Sequence, residues 1–104
     1  GENSGIMGWD YLWDKNSKEY FSGKRTRYWE NGNIMEIENR YNNRKDVKYV
    51  LYYENGQLEE ESNWSRAKKS GIYKTYYENG QLKEESNWSD DKVIGIRKIY
   101  DQTN

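Results

Sequence analysis

One block of aromatic and turn-forming residues recurs along this chain at a fixed spacing of 24 residues. It occupies residues 28–32 (Tyr-Trp-Glu-Asn-Gly), 52–56 and 76–80 (both Tyr-Tyr-Glu-Asn-Gly), and a further tyrosine follows at Tyr100. A fixed period in this range is typical of supersecondary units that stack on one another, because a single unit is too small to bury its own apolar surface. The period therefore favours an extended array over a globule.

Each repeat is predicted to be a β-hairpin, because Asn-Gly between two alternating runs is a strong hairpin signal. Residues 71–77 should pair with residues 81–88 around Asn79-Gly80. We expect a two-residue type I′ turn with positive φ at both central residues. Alternation places Leu82 and Trp88 on one side, which we interpret as the packed side. Glu84 falls on that nominal side too, so a bulge or strong twist is expected between them.

We therefore predict an all-β fold, an elongated single-layer antiparallel sheet of tandem hairpin repeats of about 24 residues. Residues 1–8 are expected to form a flexible N-terminal segment. Residues 9–104 are expected to form one repeat domain. Its parts are an atypical first hairpin at 9–27, repeats at 28–51, 52–75 and 76–99, and a terminal half-repeat at 95–104. Which side of the first strand of each hairpin faces the core stays open at this point.

The residues expected to hold the array together are those that recur at equivalent positions. They are Tyr28, Gly32, Tyr52, Gly56, Leu58, Trp64, Gly71, Tyr76, Gly80, Leu82, Trp88, Gly95 and Tyr100. The glycine that opens the strand at Gly23, Gly71 and Gly95 is replaced by Val47 in the first full repeat. The connection into the second repeat should therefore be built differently.

The composition excludes several classes of function. Charged residues make up 34% of the chain, but five Trp and eleven Tyr supply large apolar surfaces that argue against disorder. The 17 basic and 18 acidic residues nearly balance, so nucleic acid and anionic membranes are not expected partners. Without Cys or His, thiol nucleophiles, thiolate metal sites and the usual general base are all missing. We expect no enzyme activity, and no catalytic, cofactor-binding or metal-binding residues.

The acidic residues form a ladder along the repeats, and a calcium site is one interpretation of it. Glu60 and Glu84, and likewise Glu61 and Glu85, stand at equivalent positions in successive repeats. Oxygen ligands suit calcium, but the chain has no Asp-x-Asp loop with a glycine turn. We interpret the ladder as a solvated row interleaved with lysines.

The stretch 71–88 (Gly-Ile-Tyr-Lys-Thr-Tyr-Tyr-Glu-Asn-Gly-Gln-Leu-Lys-Glu-Glu-Ser-Asn-Trp) resembles the bacterial variant of the MORN repeat. The resemblance covers residues 23–100 and is closest over 47–100. It implies a single-layer antiparallel sheet of successive hairpins. Some members of that family are antitoxin components, and others are secreted or surface proteins. A weaker resemblance links the aromatic run at 9–13 to choline-binding repeats, in which rings enclose a quaternary ammonium.

These observations predict a non-catalytic protein-interaction or scaffold module, with a protein partner or a second copy as the ligand. The alternatives are an antitoxin component that binds a cognate toxin and an aromatic-cage module for a cell-wall or choline-like ligand. The candidate partner-binding residues are aromatics that do not recur, namely Trp9, Tyr11, Trp13 and Trp29. The strand at 95–100 should leave an open sheet edge. We expect no cofactor, membrane or small-molecule ligand, and we favour a bacterial surface or secreted location over the cytoplasm.

Overall fold

The computed structural model describes residues 2–6, 10–14, 19–42 and 44–103, with side chains described from residue 23 onward. All regular structure in these residues is β-strand. No helix in this part of the chain is long and apolar enough to cross a membrane. The described strands are β1 (Glu2–Ile6), β2 (Asp10–Asp14), β3 (Glu19–Trp29), β4 (Ile34–Tyr41), β5 (Asp46–Tyr52), β6 (Leu58–Ser65), β7 (Lys68–Lys69), β8 (Gly71–Tyr76), β9 (Leu82–Ser89) and β10 (Lys92–Ile99).

The strands form one open antiparallel sheet, and from β3 to β6 and from β8 to β10 each strand pairs with the next one in sequence. The order is β1-β3-β4-β5-β6-β8-β9-β10, with β2 also paired to β3 and β7 to β6. The described residues measure 53 × 38 × 15 Å, so the sheet is a single layer. This confirms the predicted fold class.

The hairpin turns carry a different geometry from the predicted one. The amide of Gly80 donates to the carbonyl of Tyr77, and the amide of Tyr77 donates to the carbonyl of Gln81. Gly80 has a φ of +92°, whereas Asn79 is absent from the residues with positive φ. The loop is thus a three-residue turn closed by a left-handed glycine, and the predicted type I′ turn at this position is wrong. Two-residue turns with positive φ at both positions occur instead at the opposite ends of the strands, at Arg66-Ala67 and Asp90-Asp91.

The predicted bulge is confirmed, and it changes the faces of the sheet. Thr75 pairs with Glu84 and Tyr76 pairs with Leu82, so Lys83 is an extra residue in the ladder. Glu59 and Met35 are the extra residues in the preceding repeats. Because of this bulge, Leu82 lies on the face opposite Glu84 and Trp88, and the prediction that Leu82 and Trp88 share a face is wrong.

We name the two faces by their residues. The front face carries Tyr49, Ser62, Trp64, Tyr73 and Trp88, together with the other residues in register with them. The back face carries the alternate set, which includes Val50, Glu61, Lys74 and Tyr76. Each face thus draws residues from every full repeat.

Val47 explains why the connection into the second repeat is built differently. Gly71 and Gly95 have φ values of +99° and +71°, and each lies at a register shift against the preceding strand. A β-branched residue resists such a φ. Accordingly β5 pairs with β4 without any register shift, and Val47 is buried. The connection before it, between the paired residues Tyr41 and Asp46, is also longer than the two-residue turns that follow.

Successive repeats are joined by side chains that bind the backbone of the next repeat. The hydroxyls of Tyr53 and Tyr77 donate to the carbonyls of Tyr76 and Tyr100, at 2.6 and 2.7 Å. The indole of Trp29 makes the same bond to the carbonyl of Tyr52 at 3.0 Å. The second aromatic of each Tyr-Tyr or Tyr-Trp pair is therefore a rung of one hydrogen-bonded ladder.

The turn asparagines form a parallel ladder. The Asn55 amide nitrogen donates to the carbonyl of Glu78 at 3.0 Å, and its amide oxygen accepts the backbone N–H of Gln57 at 2.8 Å. Asn31 bonds the carbonyl of Glu54 and the amide of Asn33 in the same way. Asparagine recurs here because its side chain closes its own turn and also reaches the next one. The predicted stacking of the turns is thus present.

Residues 2–6, expected to be part of a flexible segment, form β1, which pairs with the outer edge of β3 near Arg27 and Trp29. β2 pairs with the earlier half of β3, from Glu19 to Lys24. Together these two strands occupy successive parts of one edge that would otherwise leave backbone groups unpaired.

Replacing Gly80 with Val should lower the unfolding free energy by about 1 kcal/mol or more, because a β-branched residue resists a φ of +92°. Chemical denaturation monitored by circular dichroism measures the change. The matched control is Glu78→Val in the same turn, where φ is not positive, with an expected change within about 0.5 kcal/mol. Equal effects of the two substitutions would show that Gly80 is not needed for its φ.

Candidate functional site

The front face repeats a serine–tryptophan pair. The indole N–H of Trp64 donates to the hydroxyl of Ser62 at 3.1 Å, and that of Trp88 donates to Ser86 at 2.8 Å. Both serines are buried. Burial of an indole nitrogen is favourable only with such a partner, so the pair explains why Ser and Trp recur two residues apart.

In the first repeat an ion-pair cluster takes the place of this pair. Glu38 and Arg40 stand at the positions of Ser62 and Trp64. Glu38 is only 2% exposed, and its two oxygens accept from Arg25 and Arg40, each at 2.7 Å. A buried carboxylate is tolerated because two guanidinium groups bind it. The front face thus changes from aromatic to cationic towards the first repeat.

Three rings of the front face surround one ammonium group. The Lys69 Nζ lies 3.9 Å from the centre of the Tyr73 ring, 4.4 Å from that of Trp88 and 5.8 Å from that of Trp64. Tyr73 and Trp88 meet edge to face at 6.4 Å. Each ring presents its negative π-face to the cation. This aromatic cage therefore lies between repeats and is filled by a side chain of the chain itself.

The acidic ladder is bound by partners along its length. Burial raises the pKa of Glu60, although the nearby charge of Lys69 acts against this shift. Glu84 accepts two bonds from the Arg97 guanidinium at 3.1 and 3.0 Å, and Glu85 lies 3.7 Å from Lys74. In the described residues no group of three or more acidic, His or Cys side chains is placed to hold a metal ion. Glu84 and Glu85 thus pair with cations of the sheet itself.

The last strand forms the candidate interaction edge. All eight residues of β10 are exposed, and β10 pairs with β9 at the end of the strand order. Four of its apolar side chains, Val93, Ile94, Ile96 and Ile99, are 44–77% exposed. Aliphatic residues in a sheet edge favour pairing with another strand.

The shape of this edge matches that of an interior strand. The register of β10 against β9 shifts between Ile94 and Lys98, around Gly95 and Ile96. The equivalent shift occurs around Gly71 and Ile72, and β8 nevertheless pairs regularly with β9 from Gly71 to Thr75. The outer edge of β10 therefore has the same backbone form as the edge of β8 that pairs with β9.

The predicted partner-binding aromatics are placed as follows. Trp9 lies outside the described residues, and Tyr11 and Trp13 lie on β2, in register with Gly23 and Tyr20. Trp29, singled out because it does not recur, occupies the ladder position of Tyr53 and Tyr77. A partner-binding role for these four residues stays a prediction. Sequence reasoning missed Lys69, whose position carries Lys45 and Val93 in the other repeats.

These features define a class of protein, a tandem β-hairpin repeat array with ring and amide ladders between its repeats. The sequence pattern of the MORN repeat variant matches residues 21–43, 45–65 and 69–90. The chain belongs to the MORN repeat variant family. No curated protein and no solved structure shows significant similarity to it.

A back-face tyrosine supplies a pH test of the cross-strand contacts. Burial, followed by the hydrogen bond to Glu61 at 2.9 Å, raises the pKa of Tyr76 from 10.0 to about 12. A raised folded-state pKa gives stability that is complete below pH 10.0 and is lost as the pH rises towards about 12. Glu61→Gln should lower the pKa of Tyr76 towards its ordinary value. Ultraviolet titration of tyrosinate, with Tyr76→Phe identifying the signal, measures both values, and an unchanged pKa in Glu61→Gln would contradict this assignment.

Proposed function

We propose that this chain is a non-catalytic protein-interaction module that recruits its partner by strand addition at the outer edge of β10. The observation that supports the proposal best is the exposed, apolar β10 in the backbone form of β8. Strand addition gives affinity through main-chain hydrogen bonds and specificity through alternate side chains. The recurrence of nearly every polar group at the repeat spacing also speaks against a unique catalytic constellation.

The charge of the edge specifies the chemistry of the added strand. On the back face Lys74 lies in register between Glu61 and Glu85. Lys98, its equivalent, has Glu85 on one side and the open edge on the other. Opposite charges in register stabilise neighbouring strands. The partner is therefore an acidic strand with a carboxylate opposite Lys98. The strand β9 has this arrangement, because it places Glu85 opposite Lys74.

An antitoxin component that covers a cognate toxin would use the same edge. That form of the proposal requires the toxin to present an acidic strand to β10. A secreted or surface scaffold would instead engage such a strand on a neighbouring protein. Both forms depend on the same edge chemistry, and they are distinguished by the protein that carries the strand.

The aromatic cage supports a second candidate function, the binding of a quaternary ammonium. Trp64, Tyr73 and Trp88 already surround a cation. A ligand of this kind would displace the Lys69 ammonium from the rings. Because that internal contact competes with any ligand, strand addition remains the proposed primary function.

A synthetic peptide of residues 81–89 tests strand addition, because β9 carries the sequence that pairs with the β8 form of the edge. Fluorescence anisotropy of the labelled peptide should show saturable binding to the intact chain. Ile96→Lys should weaken it by about tenfold or more, an effect of about 1.4 kcal/mol. The matched control is Ile72→Lys, the equivalent exposed isoleucine of an interior strand, which should bind normally.

A charge exchange tests the register in which the added strand binds. Lys98→Glu should lose the native peptide and bind the peptide in which Glu85 is replaced by Lys, because the two residues are expected to be in register. Circular dichroism verifies that each variant is folded. Equal binding by the Ile96 and Ile72 variants, or binding that ignores the charge exchange, would refute strand addition at β10.

A further inference from the structure

The front face carries an open cavity of about 530 Å³, one repeat before the aromatic cage. Its apolar surface comes from Val47, Tyr49 and Trp64. The volume falls in the range of small-molecule sites, which are concave and mostly apolar with a few convergent polar groups. This cavity was not expected from the sequence, which predicted no small-molecule ligand.

The cavity exists because the repeat pattern changes at its borders. In the aromatic cage, one repeat later, Tyr73 and Trp88 stand at the positions of Tyr49 and Trp64, and the Lys69 ammonium lies over their rings. Here the equivalent lysine, Lys45, is exposed and lies in the longer connection between Tyr41 and Asp46. Arg40 also stands where the aromatic cage has a tryptophan. With this longer connection and without that ring, Tyr49 and Trp64 line an open cavity.

Basic groups surround this apolar surface. Among the described residues the lining includes Arg40, Arg44, Lys45 and Arg66, and it includes no acidic side chain. Glu38 and Asp46 lie beside this set, because Arg40 binds Glu38, and the charges of Arg66 and Lys45 act on Asp46. The described lining itself carries four basic side chains and no carboxylate.

We propose that this cavity binds a small organic anion whose flat apolar body lies against Tyr49 and Trp64 and whose acid group is held by Arg66 and Lys45. Aromatic walls supply the contact area, and the basic side chains select for an anion. The site is separate from β10, so it adds a ligand to the proposed protein interaction and does not depend on it.

A matched pair of probes tests the anion requirement. Naphthalene-2-carboxylate and its neutral amide have the same ring, and titration of each into the intact chain is followed by isothermal calorimetry and by NMR. The carboxylate should bind about tenfold more tightly than the amide, which is the size of effect expected for a charge pair at a protein surface. Equal affinities, or no binding of the carboxylate, would overturn the proposal.

Two variants with the same change in charge test the location. Arg66→Asp should weaken binding of the carboxylate by about tenfold. The variant is expected to fold, because Asp90 occupies the equivalent turn position with the same φ of 49°. Lys68→Glu is the control, since Lys68 is exposed and lies outside the lining. Lys45→Glu serves as a second variant if Arg66→Asp unfolds. Loss of binding in Lys68→Glu equal to that in the lining variants would mean nonspecific attraction and would contradict the site.

Discussion

The hydrogen bond from the second aromatic of each hairpin to the backbone of the next repeat is the interaction on which this architecture depends. Met35 and Val47 are the only buried hydrophobic residues among those whose side chains the structure describes, from residue 23 onward. A sheet 15 Å thick has too little interior to rely on apolar burial alone. The ring ladder of Trp29, Tyr53 and Tyr77 combines partial burial of an aromatic surface with a directional bond. The repeated aromatic pair is therefore both the apolar and the polar connection between repeats.

The features with functional potential arise where this repetition is broken. Arg40 in place of tryptophan and the longer connection between Tyr41 and Asp46 accompany the open cavity, which Val47 also lines. At the other end, β10 repeats the form of β8 and leaves its outer side open. Repeat proteins commonly bind through surfaces formed along the array. In this chain the recurring residues hold the array together, and the departures from the pattern supply the candidate sites.

The sequence predicted the single-layer sheet, the hairpin pairing and the stacking of the turns, because the 24-residue period indicates stacked units and Asn-Gly between alternating runs indicates a hairpin in each unit. It did not predict the turn type, because Asn-Gly is compatible with both the two-residue turn and the three-residue turn closed by glycine. The face of Leu82 was wrong for a related reason, since the bulge position at Lys83 depends on the register set by that turn. The sequence did not predict the role of Lys69 or the cavity lining, because their contacts join residues of different strands, which alternation along a single strand does not bring together.

The most direct measurement of the ladder is the unfolding free energy of Tyr53→Phe, which removes one hydroxyl and keeps the ring. The hydroxyl of Tyr53 lies 2.6 Å from the carbonyl of Tyr76, so the loss should be about 1 kcal/mol in urea denaturation. Tyr41→Phe, at an exposed strand end, removes the same atom outside the ladder and should change stability by less than about 0.5 kcal/mol. If Tyr53→Phe is as neutral as Tyr41→Phe, the ladder does not hold the repeats together and the central claim fails.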